Sequence, residues 1–288
     1  MVARVLDGQK LADEIKAQMA ARTRELTAKG KKPGLGTILV GDDPSSARYV
    51  AMKHKDCGDV GIASFHRHLS SDISQEELEA VIDEFNADGD IDAYLIQLPL
   101  PRHLDEVAAL MRVDPDKDVD GLHPVNLGKL VMGADGPLPC TPNGILTLLN
   151  HYGVQTERSR VVIVGRGLTI GRPLSLLLTL KRPGCNATVT VAHTGTQDLQ
   201  ALTLEADVVI AAAGQAHLIK GSMIKPGAAV VGAGTTFVDG KLVSDLDDDV
   251  ADVAGWITPR IGGVGPMTRA MLLLNAVLAG ERHYGEDR

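Results

Sequence analysis

Val161-Val162-Ile163-Val164-Gly165-Arg166-Gly167-Leu168-Thr169-Ile170-Gly171-Arg172-Pro173 runs from an apolar strand through a glycine-broken turn into a helix. Its glycines are spaced G-x-G-x3-G, which keeps the tight first turn of a dinucleotide cradle and moves the third glycine one residue later. A helix that starts directly after such a turn presents backbone N–H groups to a phosphate. An ordinary strand-to-helix turn would carry the same apolar run, so the position in the chain matters: about half of the 288 residues precede it. A chain of this length has room for two domains, each with its own core.

Working outward, a second alternation of short apolar strands and helices follows the turn. Strands are expected at 161–165, 187–191, 207–211 and 228–232, with a helix at 171–180, and together they make a Rossmann-like set. The same alternation precedes it. Asp7 can cap a helix carrying Leu11, Ile15, Met19 and Leu26 at helical spacing; Thr37-Ile38-Leu39-Val40 reads as a buried strand; Ser45 or Ser46 can cap a helix through about Val60. A strand near 64–68, a helix near 75–86 and a strand at 93–97 complete the pattern. The predicted fold class is therefore α/β, with two domains built on parallel sheets. Thr141-Pro142 has the order of a helix start, which places the boundary there. The apolar helix expected at 267–278 lies beyond the second sheet and is expected to return to the first domain. The expected division is 1–142 plus 266–288 against 143–265.

Composition removes several functions. A formal net charge of −8 with 3% aromatic residues offers neither the basic stripe nor the stacking rings of a nucleic-acid surface. Cys57, Cys140 and Cys185 are odd in number and far apart, which speaks against a disulfide framework and for a reducing, cytoplasmic setting. No apolar run is long enough to span a membrane. His66 and His68 share a strand face without a third ligand, and Asp245, Asp247, Asp248 and Asp249 read as a solvated turn, so no metal site is expected.

The first domain offers its own constellation. Tyr49 and Lys53 are spaced i, i+4 on the helix that follows the first strand, so they share a face. Gln97 closes the strand at 93–97 and is followed at once by the stiff turn Leu98-Pro99-Leu100-Pro101; Asp118-Val119-Asp120-Gly121 adds two acids before a glycine turn. Carboxyl ends of parallel strands are where such folds bind ligands, so these side chains can converge on one crevice.

With Tyr49-Val50, Lys53, Lys55 and Gly61-Ile62, the Gln97-to-Pro101 turn, Lys117-to-Gly121, Pro139-Cys140-Thr141-Pro142 with Gly144, and Gly262-Gly263-Val264-Gly265-Pro266-Met267-Thr268, the chain resembles the bifunctional methylenetetrahydrofolate dehydrogenase/methenyltetrahydrofolate cyclohydrolases over nearly its whole length. The resemblance implies oxidation of 5,10-methylenetetrahydrofolate by a nicotinamide cofactor and hydrolysis of the methenyl product to 10-formyltetrahydrofolate. It implies that Lys53 is the catalytic lysine, Gln97 its orienting partner, Tyr49 the ring against the folate and Asp120 the carboxylate on the pterin's amino edge. Gly262, Gly263 and Pro266 would join the substrate site, and a homodimer would form through the second domain.

The cofactor half departs from the resemblance. Gly167 stands where many relatives have serine, and His193-Thr194-Gly195-Thr196 lacks the basic residue that often follows the second strand. No acid ends that strand to hold ribose hydroxyls, as an NAD-specific site requires. Gly165, Arg166, Gly167, Thr194 and Thr235 are the expected cofactor residues, with Arg166 and Thr194 on a 2′-phosphate. NADP is the favoured cofactor and NAD the alternative. Rival readings are a cyclohydrolase with a weak or NAD-dependent dehydrogenase, and a non-catalytic folate-binding protein.

Overall fold

A computed structural model describes residues 3–285, and in it the chain forms two compact units. One gathers the chain up to Ala12, Leu130–Ala134 and Thr141–Thr268; the other gathers Asp13–Lys129, Asp135–Cys140 and the chain from Arg269 onward. The expected division placed the N-terminal strand and Pro266 with the first domain, whereas both group with the nucleotide-type unit. The reason for the strand is pairing: β1 (Arg4–Val5) has only two residues, and it finds a parallel partner in Trp256 and Ile257.

α1 (Gly8–Ala28) starts where Asp7 Oδ1 accepts the Lys10 N–H at 3.0 Å. β2 (Gly34–Val40) is buried along its whole length, as a central parallel strand covered on both faces must be. α2 (Pro44–Val60) is capped by Asp43, whose Oδ2 accepts the Ser46 N–H at 2.8 Å, with Pro44 in the first turn. This corrects the expected serine cap: the cap lies at Asp43, two residues before Ser45, with Pro44 fixing the helix entry, and Ser46 donates its N–H to the cap. β3 (Ala63–Leu69), α3 (Gln75–Ala87) with a Ser74–Glu77 capping box, and β4 (Ala93–Ile96) follow. The three strands make a parallel sheet ordered β3-β2-β4. Ile38, Leu78, Ile82, Phe85, Tyr94 and Ile96 belong to its core. α4 (Glu106–Arg112) and α5 (Pro124–Met132) are short additions.

α6 (Cys140–His151) begins one residue before Thr141, and Pro142 occupies its first turn, where its missing N–H leaves no bond unmade. The second unit then runs β5 (Arg160–Val164), α7 (Gly171–Thr179), β6 (Thr188–Ala192), α8 (Leu199–Glu205), β7 (Val208–Ala211), β8 (Ala229–Gly232), β9 (Thr235–Val238), β10 (Lys241–Ser244), α9 (Val250–Val253) and β11 (Trp256–Ile257). The main sheet is six-stranded, ordered β1-β11-β8-β7-β5-β6, and all its pairings are parallel. β9 and β10 form a separate antiparallel hairpin.

α10 (Val264–Gly285) is the last described element. Its Asn275 Nδ2 donates to the carbonyls of Val119 and Leu138 at 2.8 and 3.0 Å, and Arg269 sits 3.4 Å from the buried Asp56 of α2. Those contacts lie inside the first, three-stranded unit. No helix among the described residues is long and apolar enough to cross a membrane.

Candidate active site

Lys53 is 4% exposed on α2. Its Nζ donates to Gln97 Oε1 at 3.1 Å and lies 4.9 Å from the centroid of the Tyr49 ring, one helical turn before it. Gln97 reaches it because the residue still belongs to the sheet edge. Its backbone N–H continues the ladder to Ile38 O at 2.8 Å, and its side-chain Nε2 is engaged by Leu98 O at 2.8 Å, which turns Oε1 toward the amine. The Leu98–Pro99 peptide that follows is cis.

Burial pushes the Lys53 ammonium below the ordinary lysine range, and the nearby Asp120 carboxylate opposes this without reversing it. The Tyr49 ring face also favours the charged form. Cys140 belongs to the same cluster, although the sequence marks it only as one residue of a motif. Its thiol is buried, donates to Val119 O at 3.3 Å, and is pushed well up by burial first and by Asp120 second, with Lys53 acting against both. Its proximity to Lys53 comes from the chain crossing at Asp120 O, which accepts the Cys140 N–H at 3.3 Å; sequence spacing carries no signal of that crossing.

The two acids of Asp118-Val119-Asp120-Gly121 separate in role. Asp118 is buried and accepts the Gly121 and His123 N–H groups at 3.0 and 2.8 Å and Asn126 Nδ2 at 2.9 Å. Burial still raises its carboxyl above the usual range. Asp120 is only partly buried and acts on Lys53. Tyr49, Lys53, Gln97 and Asp120 are thus brought together, and Asp118 shapes the turn that presents Asp120. His66 and His68 have other partners: His66 Nδ1 lies 3.0 Å from Thr37 Oγ1 and His68 Nε2 lies 2.9 Å from Gly41 O. Among the described residues no group of three His, Cys, Asp or Glu side chains could hold a metal ion.

In the other unit the parallel strands β6, β5, β7 and β8 end at one edge, and the expected cofactor residues sit on the loops there. Gly165 has φ +128°, and a Cβ on it would lie 2.2 Å from Ala212 O. A Cβ on Gly171 would lie 2.1 Å from Gly165 O, so the first turn of α7 closes on the loop only because both residues are glycine. Above Gly167 there is open space. A cradle tight at its base and open at its rim fits a pyrophosphate at a helix start. Arg166 and Thr194 are exposed. Thr194 lies in a turn fixed by Thr196 Oγ1 on the His193 N–H at 2.9 Å and by His193 Nδ1 on the Gly195 N–H at 3.0 Å. Thr235 opens β9, opposite Ser244 in the hairpin.

Gly262, Gly263 and Pro266 also belong to this unit. Gly262 O accepts the Gln9 N–H at 2.8 Å, Gly263 immediately precedes α10, and Pro266 lies in its first turn, where Thr268 Oγ1 is 3.0 Å from Thr141 Oγ1.

Comparison with known proteins gives a consistent picture. Residues 6–120 match the family profile described as tetrahydrofolate dehydrogenase/cyclohydrolase, catalytic domain, and residues 139–284 match its NAD(P)-binding domain. A bifunctional methylenetetrahydrofolate dehydrogenase/cyclohydrolase from Campylobacter jejuni superposes with a TM-score of 0.94 at 41% identity, covering 97% of this chain and 99% of its own. The Trypanosoma brucei methylenetetrahydrofolate dehydrogenase-cyclohydrolase, solved with NADP cofactor and an inhibitor, gives 0.92 at 39%, covering 98% of each chain. A 5,10-methylenetetrahydrofolate dehydrogenase from the silkworm Bombyx mori gives 0.93 at 35%, covering 98% of this chain and 99% of its own.

Proposed function

The chain belongs to the tetrahydrofolate dehydrogenase/cyclohydrolase family, and from that premise we propose that the cluster around Lys53 serves two successive reactions on one folate. The enzyme oxidises 5,10-methylenetetrahydrofolate to 5,10-methenyltetrahydrofolate with NADP+, and hydrolyses that product to 10-formyltetrahydrofolate, in one-carbon metabolism. The observation that carries the assignment of residues is the buried Lys53 amine, held by Gln97 and driven toward its neutral form.

NADP+ supplies the acceptor for the hydride that leaves the methylene carbon. Arg166 would hold its 2′-phosphate together with Thr194, with Gly165, Gly167 and the start of α7 around the pyrophosphate and Thr235 toward the nicotinamide end. In the hydrolysis, neutral Lys53 takes a proton from the water that adds to the methenyl carbon. The same proton passes to N5 as the carbon–N5 bond breaks. The hydroxyl loses its remaining proton to solvent as the formyl carbonyl forms on N10. Gln97 Oε1 keeps the amine aimed through both transfers. Asp120 pairs with the amino edge of the pterin by two-point charge-assisted bonding, and the Tyr49 ring packs on the folate. Gly262, Gly263 and Pro266 are assigned to substrate binding as well.

The folate chemistry is assigned to the unit of the three-stranded sheet and nucleotide binding to the unit of the six-stranded sheet, with a homodimer formed through the nucleotide unit. Buried, unbridged Cys57, Cys140 and Cys185 suit a reducing compartment, the cytoplasm. The test is a pair of absorbance assays on one purified sample, NADPH formation and methenyl-folate decay, with NADP+ and NAD+ compared. Both activities with a higher kcat/KM for NADP+ support the reading. Loss of either, or preference for NAD+, refutes the corresponding half.

A further inference from the structure

Asp245 contradicts its sequence setting. It belongs to an aspartate-rich stretch that reads as a solvated turn, yet it is fully buried where the chain leaves β10. Its Oδ2 accepts the backbone N–H of Ala213 at 2.7 Å and of Gly214 at 3.0 Å, and the N–H of Gln215 also acts on the carboxylate. Successive backbone N–H groups turned to one point form a nest of the kind that captures ligand anions. Here a side chain of the protein fills it.

Stability alone does not explain the arrangement. Oδ1 has no hydrogen-bond partner, and burial raises the carboxyl above the usual range despite the donors. A buried carboxylate with an orphaned oxygen costs folding free energy relative to an apolar residue. Its neighbours show what it holds. Ala213 and Gly214 form the loop after β7, and the carbonyl of Ala212 in that loop is the atom on which Gly165 closes. On the other side a Cβ on Gly234, in the loop after β8, would lie 2.0 Å from Asp245 Oδ2.

We propose that Asp245 is a positioning residue for the nucleotide: its carboxylate sets the loop after β7 and, through Ala212, the Gly165 turn that receives the pyrophosphate. The proposal rests on the NADP+ reading above. The carboxylate at the carboxyl edge of β8 thus comes from Asp245, across the hairpin from Gly234.

The experiment titrates NADPH by its fluorescence into full-length wild-type, Asp245→Asn and Gly234→Ala protein, and follows cyclohydrolase rate and kcat at saturating NADP+ in the same samples. Weakening hydrogen bonds to a charged group predicts a Kd for NADPH raised about tenfold in both variants. Cyclohydrolase, which uses no nucleotide, and kcat stay within about twofold of wild type. A Kd within about twofold of wild type in Asp245→Asn overturns the proposal. So does a cyclohydrolase rate that falls in step with nucleotide affinity, because that marks general loosening. Wild-type protein that fails to bind NADPH refutes the nucleotide reading first, and this role with it.

Discussion

Lys53 shows how one side chain's chemistry follows from three environments at once. Burial lowers its affinity for a proton, Asp120 restores part of it, and Gln97 fixes the direction of the amine. Asp120→Asn removes the charge that favours the ammonium, so the Lys53 titration moves further down. The rising limb of the cyclohydrolase pH–rate profile is then expected at lower pH than in wild type, with a raised KM for folate. A limb that stays in place or moves up, measured as kcat across pH, contradicts the role of Asp120 at Lys53. The pairing of Tyr49 with Lys53 is legible from helical spacing, and Gln97 from its place at a strand end before a proline turn. Cys140 and Asp245 are not, because their partners lie about twenty to thirty residues away and are backbone groups.

At the scale of elements, the apolar runs that become β2, β4, β5, β7 and β8 are readable because a parallel strand covered on both faces needs little besides β-branched and aliphatic residues. β1 and β11 are two residues each, and only their pairing makes them strands. The β9–β10 hairpin has its own sequence signal: Asp239-Gly240 adopt φ +48° and +73°, the Asp-Gly turn of a two-residue hairpin. Two substitutions test the elements around the sites. Gly171→Ala drives a Cβ into the Gly165 carbonyl, so NADPH affinity should fall by tenfold or more (~1.4 kcal/mol per tenfold) while cyclohydrolase persists; unchanged affinity in a fluorescence titration would remove the close approach from the account of binding. Asn275→Leu in α10 strips the donors from the Val119 and Leu138 carbonyls. Stranding buried acceptors should lower unfolding free energy by about 2 kcal/mol in a denaturant titration, and a change near zero would show that water replaces the amide.

For the whole molecule, division of labour is the main consequence of the sequence. One unit carries the Lys53 cluster, the proposed proton-transfer site, on a three-stranded sheet, and the other a glycine cradle on a six-stranded sheet with β6 at one edge, unpaired on its outer side among the described residues. An exposed sheet edge is a ready pairing surface for a second copy, in keeping with the proposed homodimer. Light scattering should give twice the 30.4 kDa chain mass, and a monomer at assay concentration would contradict it. The alternation of strands and helices in both halves was legible, whereas the units' boundaries at the N-terminus and around 130–141 were not, since they depend on which sheet a short segment joins.

The most direct measurement is the cyclohydrolase rate of Lys53→Met, taken on the same sample as its NADPH affinity. Removal of a general base predicts a loss of about 10²–10⁴-fold in hydrolysis with nucleotide affinity kept. Wild-type hydrolysis by Lys53→Met would contradict the assignment of the buried lysine as the group that moves the proton.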